Sequence, residues 1–143
     1  MKIIETEIII ESNVSTVWNS LTNFESYPSW NPFIISIQGV SKVGDKFTVS
    51  IKPPNSSGMT FKPILLTFDK DREFRWKGQF IMKGIFDGEH YFILEKINDH
   101  QTKFIHGEKF NGLLVGLMSN ILKNTVEGFK LMNVALKKVS ENK

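Results

Sequence analysis

Alternation of polar and apolar residues is the dominant pattern of this chain, and it begins near the N-terminus. In residues 2–11, one set of alternate positions carries Ile4, Thr6, Ile8 and Ile10, while glutamates occupy part of the other set. A period of two residues is typical of a β-strand with one buried face. The first strand is therefore predicted here, with its isoleucine-rich face turned towards the interior.

The spacing of apolar residues changes after this strand from two to three and four. The apolar positions of the next segment are Val14, Val17, Trp18 and Leu21. They form one stripe of a short helix that should pack on the sheet, and either Ser12 or Asn13 caps its first turn. Pro28 and Pro32 then leave room for only a turn of helix before the chain extends, which predicts a helical elbow.

Residues 33–79 have the pattern of successive strands. Turn-forming residues separate these strands at positions 39–45, 53–58 and 69–71. The separators divide the segment into four predicted strands joined by turns. The last of them has Phe74, Trp76 and Phe80 on one face and charged or polar residues on the other, so one side of it should face water.

A longer hairpin is predicted in residues 88–110. Alternation places on one face of its first strand His90, Phe92 and Leu94. The corresponding face of its second strand carries Phe104, His106, Glu108 and Phe110. Because these faces are rich in aromatic residues, we expect both to be buried.

A long amphipathic helix is predicted from about Leu113 to Val139. Its apolar positions recur at helical spacing and are Leu114, Met118, Ile121, Leu122, Phe129, Met132 and Leu136. Lys137 and Lys138 lie favourably near its C-terminal end, where the helix dipole attracts cations. At 1.5 Å per residue, the predicted helix would be roughly 40 Å long.

The order of elements is one strand, two short helices, six strands and a long helix. This order predicts an α+β fold in which the helices pack on one side of an antiparallel sheet. A sheet of seven strands twists and curls, and wrapping it around the C-terminal helix leaves a space between the two layers. We therefore predict a single domain over residues 1–143, with a seven-stranded curved sheet around a long C-terminal helix and an internal cavity.

The same succession of motifs resembles the START-related superfamily with the helix-grip fold, whose bacterial members are described as SRPBCC or polyketide cyclase/dehydrase-like proteins. The residues that carry the resemblance are Ile8 to Glu11, Val17-Trp18, Phe24, Tyr27-Pro28, Trp30 to Phe33, Gly88 to Glu95, Thr102 to His106, Glu108, Phe110, Gly112 to Leu114 and Gly128-Phe129. They are specific for fold but not for activity, because the superfamily includes lipid carriers, aromatase/cyclases, hormone and quinone binders and co-chaperone domains. Gly116 departs from the proline of many relatives, so we expect the first turns of the helix either to bend there or to approach the sheet differently.

Composition and charge narrow the range of partners. The formal net charge is +3, and the lysines are scattered along the chain rather than gathered in runs. Arg72 and Arg75 are the only arginines, so nucleic acid is not a predicted partner. The absence of cysteine excludes a disulfide, a thiolate nucleophile and a thiolate metal site. The sequence has no phosphate-binding glycine loop, nucleophile elbow or zinc signature, and we predict no cofactor.

The longest apolar run, Leu113 to Met118, is far shorter than the ~20 residues that cross a bilayer. The N-terminal strand pattern is interrupted by glutamates and lacks the continuous apolar stretch of a signal peptide. These patterns predict no membrane span and a cytoplasmic location. They leave the oligomeric state open between monomer and homodimer.

His90, His106 and Glu108 are the candidate chemical groups, since all three are predicted on the buried face of one hairpin. If Ile97 pairs with Gln101, His90 lies opposite Glu108 with Cβ atoms roughly 5 Å apart. Buried polar groups need partners from the protein or from a ligand. The three side chains could recognise a ligand carbonyl or hydroxyl, act as acid and base in a cyclase-like dehydration, or satisfy one another in a filled core.

Two histidines and a carboxylate also match the ligands of a non-haem iron site. Alternate positions on only two strands rarely supply the facial geometry and the outer hydrogen bonds that such a site needs, so we predict no metal. His100 follows Asn98-Asp99 in the turn and is predicted to be solvated.

A set of large apolar residues could line the cavity together with these polar groups. They are Trp30, Phe33, Trp76, Phe92, Phe110, Leu114, Met118 and Leu122. Aromatic rings would give the cavity its shape and methionine its adaptability, although each residue alone also fits ordinary core packing. The turn from Pro53 to Met59 is long for a hairpin and fits either a lip over the cavity entrance or a solvated loop.

The predicted function is to bind or carry a small to medium hydrophobic molecule, such as a lipid, a quinone or a polyketide-like compound, between the sheet and the C-terminal helix. The enzyme alternative is a cyclase or dehydratase that acts on a polyketide-like substrate by His/Glu acid–base chemistry. A protein-interaction domain with a filled core is a further alternative, and a cavity in the interior would argue against it.

Overall fold

The computed structural model describes residues 1–79 and 87–143. Its strands are β1 (Lys2–Ile10), β2 (Ile34–Gln38), β3 (Thr48–Ile51), β4 (Met59–Phe61), β5 (Ile64–Asp69), β6 (Glu73–Gln79), β7 (Asp87–Asn98) and β8 (Gln101–Asn111). Its helices are α1 (Val14–Thr22), α2 (Tyr27–Trp30) and α3 (Ser119–Glu141), with 3-10 turns at Phe24–Ser26 and Val115–Leu117. Phe80, which alternation assigns to the face of Trp76, lies outside the described residues.

The strands form two antiparallel sheets. The larger sheet has the order β1-β8-β7-β6-β5, and the smaller one has the order β2-β3-β4. β1 pairs with β8 along its whole length, from Lys2 opposite Phe110 to Ile10 opposite Thr102. The first and last strands of the chain are therefore neighbours, and α3, which follows β8, packs against both of them.

The number of strands differs from the prediction of seven, because the described residues contain eight. The segment between positions 59 and 68, predicted as one strand, is divided between β4 and β5. Pro63 lies at the division, and proline has no N–H to donate to a strand ladder. After this break β4 belongs to the smaller sheet and β5 to the larger one. The predicted α+β arrangement of an antiparallel sheet with a long C-terminal helix is confirmed.

Both predicted short helices are present. Asn13 is the N-cap of α1, and its Oδ1 accepts the backbone N–H of Thr16 at 2.8 Å. In the elbow, Pro28 lies in the first turn of α2, where its missing N–H removes no helical hydrogen bond. Tyr27 is fully buried, and its hydroxyl donates to the carbonyl of Leu21. This hydrogen bond ties the elbow to α1.

The C-terminal helix begins at Ser119, later than the predicted start at Leu113. Gly112 has a φ of 123°, a conformation that favours glycine, and the 3-10 turn Val115–Leu117 follows it. Gly116 lies within this turn, so the helix is interrupted where the sequence predicts a bend. α3 then continues for 23 residues, which is roughly 35 Å. None of the helices in the described ranges is long and apolar enough to span a membrane.

α3 packs closely on the rest of the protein at Gly128. A Cβ added to Gly128 would lie only 2.4 Å from the ring of Phe33. One residue further, the ring of Phe129 stacks on His106 with centroids 4.0 Å apart. Met132 is also fully buried. The interior is therefore closed by packed side chains along the middle of α3.

Candidate functional site

A cavity of about 320 Å³ lies between β8, the start of α3 and the loop that joins β3 to β4. Its lining residues are Ile51, Pro53, Ser56, Gly58, Met59, Glu108, Phe110, Met118, Ile121, Asn124 and Thr125. Most of these side chains are apolar, and Glu108 is the one carboxyl group among them. The volume falls at the lower end of the range typical of small-molecule sites.

Three of the predicted site residues, Glu108, Phe110 and Met118, line this cavity. Leu114 is half-buried in the turn before α3, because the helix starts later than predicted. The other predicted residues of the interior are buried away from the cavity lining, and they are Phe33, Trp76, His90, Phe92, His106 and Leu122. Their assignment to ligand binding stays a prediction.

Trp30 borders a different cavity, of about 350 Å³, beside the C-terminal part of α3. The other residues that line it are Ser29, Ala135, Lys138, Val139 and Asn142. The indole Nε1 of Trp30 donates to Ser26 Oγ at 2.9 Å. Trp30 therefore belongs to a part of the protein other than the Glu108 cavity.

His90 and Glu108 lie directly opposite each other on β7 and β8, as predicted. The predicted pairing near the turn is wrong in one detail, since Gln101 pairs with Asn98 and a bulge at Ile97 absorbs the difference. His90 Nδ1 lies 3.4 Å from Glu108 Oε1. Both side chains are almost fully buried, so their interaction takes place away from bulk water.

Hydrogen bonds continue from this pair into α3 and β1. His90 Nε2 lies 2.7 Å from His106 Nε2, and His106 Nδ1 lies 2.9 Å from Asn133 Oδ1. Asn133 Nδ2 donates to Thr6 Oγ1 at 2.8 Å, and this hydroxyl donates to the backbone carbonyl of His106 at 3.0 Å. We call the five side chains of Glu108, His90, His106, Asn133 and Thr6 the polar chain.

Burial sets the protonation of the polar chain. It raises the pKa of Glu108 from 4.5 to about 8 and lowers the pKa of His90 from 6.5 to about 3, because a charge is poorly solvated at these positions. Burial is the main reason that the pKa of His106 lies well below 6.5, and the neighbouring His90 lowers this pKa further. At neutral pH the polar chain is therefore uncharged, and the carboxyl group in the cavity wall carries a proton.

Aromatic rings exclude water from the two histidines. His90 stacks on Phe92 with centroids 4.6 Å apart, and the ring of Trp76 lies 4.7 Å from the ring of His90. His106 stacks on Phe129 from the side of α3. Phe92 and Trp76, both predicted as site residues, thus contact the polar chain by packing against its histidines.

Thr6 and Asn133 are functional candidates that sequence reasoning did not single out. Each is a polar residue on a mainly apolar inner face. Thr6 lies between Ile4 and Ile8 on the inner face of β1, and Asn133 follows Met132 on the inner side of α3. A polar residue in such a position needs a buried partner, and this signal could have identified both.

The loop predicted as either a lip or a solvated turn forms part of the cavity wall. Pro53, Ser56, Gly58 and Met59 all line the cavity. Gly58 has a φ of 88°, and a Cβ added there would lie 2.7 Å from the backbone oxygen of Ile51. The loop therefore folds tightly against the end of β3, in a conformation that favours glycine.

The first turns of α3 supply lining residues that were not predicted. Ile121, Asn124 and Thr125 share one side of the helix with Met118 because they follow it at three- and four-residue intervals. The hydroxyl of Thr125 donates to the carbonyl of Ile121 at 2.8 Å. Asn124 and Thr125 add polar groups to a wall that is mostly apolar and that also contains Ser56 and Glu108.

The arrangement is suited to recognition of a polar group and to proton exchange. The Nε2 atoms of His90 and His106 face each other and form a hydrogen bond.

Within residues 1–79 and 87–143, no group of three His, Cys, Asp or Glu side chains has the spacing of a metal site. His100 is exposed in the β7–β8 turn, as predicted, and its backbone N–H donates to Asn98 Oδ1.

The fold is similar to several solved structures, all at low sequence identity. Zhui aromatase/cyclase from Streptomyces sp. R1128 has a TM-score of 0.78 at 11% identity, covering 99% of this chain and 94% of its own. A point mutant of norcoclaurine synthase from Thalictrum flavum has a TM-score of 0.76 at 10% identity, with coverage of 99% and 94%. A START superfamily protein from Mycobacterium smegmatis has a TM-score of 0.72 at 13% identity, with coverage of 96% and 98%. At such identities the likeness shows the fold alone.

Sequence comparison identifies the family. No curated protein matches the chain. A family model described as polyketide cyclase/dehydrase and lipid transport matches residues 1–141. That match extends over nearly the whole chain and agrees with the similarity in fold to the START superfamily protein and the aromatase/cyclase. The chain therefore belongs to the polyketide cyclase/dehydrase and lipid transport family.

Proposed function

We propose that this protein binds or carries a small to medium hydrophobic molecule in the cavity beside Glu108. The observation that carries the proposal is an apolar cavity of about 320 Å³ with a single, almost fully buried carboxyl group in its wall. An alkyl chain, a quinone or a polyketide-like ring would contact Ile51, Phe110 and Met118. Glu108 would recognise one polar group of the ligand, since buried polar groups require a partner.

The cavity itself argues against the alternative of a filled interaction domain. A cleft of this size that is lined mainly by apolar residues and has a few polar groups is typical of a small-molecule site. Binding of an apolar ligand in this space is favourable by roughly 25 cal/mol for each Å² of apolar surface removed from water. The family match, which includes lipid transport, supports the same interpretation.

The test is to identify a bound compound and then to fill the cavity. The protein purified from cells would be examined by native mass spectrometry, followed by organic extraction of any small molecule. Ile121 lines the cavity and is 49% exposed, so Ile121→Trp should push an indole into the space and lower the bound fraction at least tenfold. Leu131→Trp is the matched control, because Leu131 is 50% exposed on the same helix and is not a lining residue.

A thermal-shift panel of fatty acids, quinones and aromatic polyketides provides a second readout. A ligand present at about 100 times its Kd adds about 2.7 kcal/mol to the free energy of unfolding, which corresponds to a rise in Tm of roughly 5 to 10 °C. The proposal fails if the purified protein is reproducibly empty and the panel leaves Tm unchanged. It also fails if both tryptophan variants bind as the wild type does.

A cyclase or dehydratase acting on a polyketide-like substrate is the second candidate, and the polar chain behind Glu108 favours it. Glu108 lies in the cavity wall, where it could exchange a proton with a bound substrate, and His90 lies 3.4 Å behind it. This candidate predicts that Glu108→Gln abolishes turnover of such a substrate while the variant remains folded. Full turnover by Glu108→Gln would rule out Glu108 as the acid or base, and absence of turnover by the wild type would leave ligand binding as the better account.

A further inference from the structure

The direction of the hydrogen bonds in the polar chain can be assigned from the end that lies at β1. Thr6 has one hydroxyl proton, and it donates that proton to the backbone carbonyl of His106 at 3.0 Å. The oxygen of Thr6 must therefore accept at its second contact, 2.8 Å from Asn133. This requirement turns the amide nitrogen of Asn133 towards Thr6 and its carbonyl oxygen Oδ1 towards His106.

The same logic determines the tautomers of both histidines. Oδ1 of Asn133 can only accept, so Nδ1 of His106 carries the hydrogen in their 2.9 Å contact. A neutral His106 then has its lone pair on Nε2, which must accept from Nε2–H of His90 at 2.7 Å. His90 is left with its lone pair on Nδ1, the atom that faces Glu108.

The contact between His90 and Glu108 determines which carboxyl oxygen of Glu108 carries the proton. Oε1 of Glu108 lies 3.4 Å from Nδ1 of His90. If the carboxyl proton were on Oε2, two lone pairs would face each other in this buried contact, which is unfavourable. A neutral Glu108 therefore carries its proton on Oε1, the oxygen that faces Nδ1 of His90. Oε2 is then left without a proton and can accept a hydrogen bond.

We propose that the cavity selects ligands with a hydroxyl group, an alcohol or a phenol, which donates a hydrogen bond to Oε2 of Glu108. The proposal rests on the function proposed above, because Glu108 lines the cavity while its Oε1 faces His90. A ligand that offers only hydrogen-bond acceptors there, such as an ether or a carboxylate, would place its lone pairs against those of Oε2, which is unfavourable. Asn133 and Thr6 are the positioning residues, since they orient His106 and through it the rest of the polar chain.

A pair of matched probes tests the selectivity. 2-Naphthol and 2-methoxynaphthalene share one aromatic skeleton but differ in the ability to donate a hydrogen bond. We expect the wild-type protein to bind 2-naphthol roughly two- to tenfold more tightly in calorimetric titrations, as one hydrogen bond would give. Glu108→Gln should keep this preference, because its amide can donate to Nδ1 of His90 and turn its carbonyl to the cavity. Glu108→Met should abolish the preference for 2-naphthol. Any difference in affinity between the two probes that remains in this variant measures the effect of the larger methoxy group.

The tautomers offer a test that needs no ligand. In ¹⁵N-labelled protein, long-range ¹H–¹⁵N correlations should show His90 protonated at Nε2 and His106 protonated at Nδ1. The opposite tautomers, equal affinity for the two probes, or loss of the preference in Glu108→Gln would overturn the proposal. Failure of both probes to bind would overturn it as well, whereas the proposed function is judged separately by the extracted compound and the Ile121→Trp comparison.

Discussion

Substitution of Glu108 by Gln should remove a specific part of the pH dependence of stability. The pKa of Glu108 is raised from 4.5 to about 8 in the folded protein. Between these values the unfolded chain has lost the proton that the folded protein keeps. The folded state therefore binds more protons, and the free energy of unfolding falls as pH rises, by about 1.4 kcal/mol per pH unit.

The histidines of the polar chain act in the opposite direction at lower pH. The pKa of His90 falls from 6.5 to about 3, and the pKa of His106 is also lowered. Below pH 6.5 the unfolded chain binds protons that the folded protein excludes, so stability falls as pH falls. We therefore expect a stability maximum near pH 6.5. The decline on its alkaline side, up to about pH 8, comes from Glu108 and amounts to about 2 kcal/mol.

The assay is urea unfolding at a series of pH values, followed by tryptophan fluorescence and circular dichroism. Glu108→Gln should lose the alkaline decline, because Gln keeps the shape of the protonated acid and does not ionise. The difference between wild type and variant isolates Glu108, since all other ionisable groups are shared. Glu95→Gln, at an exposed position of β7, is the control and should keep the decline. If wild-type stability is flat or rises between pH 6.5 and 8, or if Glu108→Gln declines equally, the assignment of a buried neutral acid is wrong.

Substitutions at Gly128 and Thr6, each with a control, test the packing and the hydrogen bond that position the polar chain. Gly128→Ala would place a Cβ 2.4 Å from the ring of Phe33. We expect the free energy of unfolding to fall by about 1 kcal/mol, because overpacking outweighs the gain in helix propensity. In the control Gly116→Ala the added Cβ meets nothing within 4 Å, so the free energy of unfolding should change by less than about 0.5 kcal/mol. Thr6→Val would leave the buried amide of Asn133 without its acceptor and should lower the free energy of unfolding by about 1 to 3 kcal/mol. Thr6→Ser keeps the hydroxyl group and should retain most of that stability. Equal stability of the Val and Ser variants in urea unfolding would contradict this.

Much of the candidate site follows from the alternation in the last hairpin. A period of two residues is sufficient to place His106 and Glu108 on one buried face, and a short turn is sufficient to set His90 opposite Glu108. The bulge at Ile97 did not disturb this result, because it absorbs one residue close to the turn. Local pattern was informative here since both strands are long and each has one strongly apolar face.

The division into two sheets and the start of α3 were not predictable in the same way. Residues 59–68 have a strand pattern throughout, and Pro63 was the sole local signal that the ladder ends there. Which sheet each half joins depends on partners that are distant in the chain. Leu113 and Leu114 have good helix propensity, but the positive φ of Gly112 and the 3-10 turn that follows delay the helix.

The position of the cavity depends on the distance between layers, which a single sequence does not reveal. Helical spacing placed both Met118 and Phe129 on the inner face of α3. Gly128 allows the helix to approach Phe33 closely, so the interior is filled near Phe129. Nearer the start of the helix, around Thr125, the layers are not closed in this way and a cavity remains. The alternation and helical spacing could therefore indicate a space between sheet and helix, but they could not indicate which part of the inner face borders it.

The geometry of the polar chain favours recognition over net proton transfer. Glu108 is its one member in the cavity wall, and the far end turns back through Thr6 to the backbone of His106, which is fully buried. A proton given to Glu108 by a ligand could move no further than His106, whose lowered pKa opposes holding it. That proton would have to return to the molecule that supplied it. Binding, or a cyclisation or dehydration in which one substrate both gives and regains the proton, is compatible with this arrangement. A reaction that releases protons to water would need an exit that the polar chain does not supply.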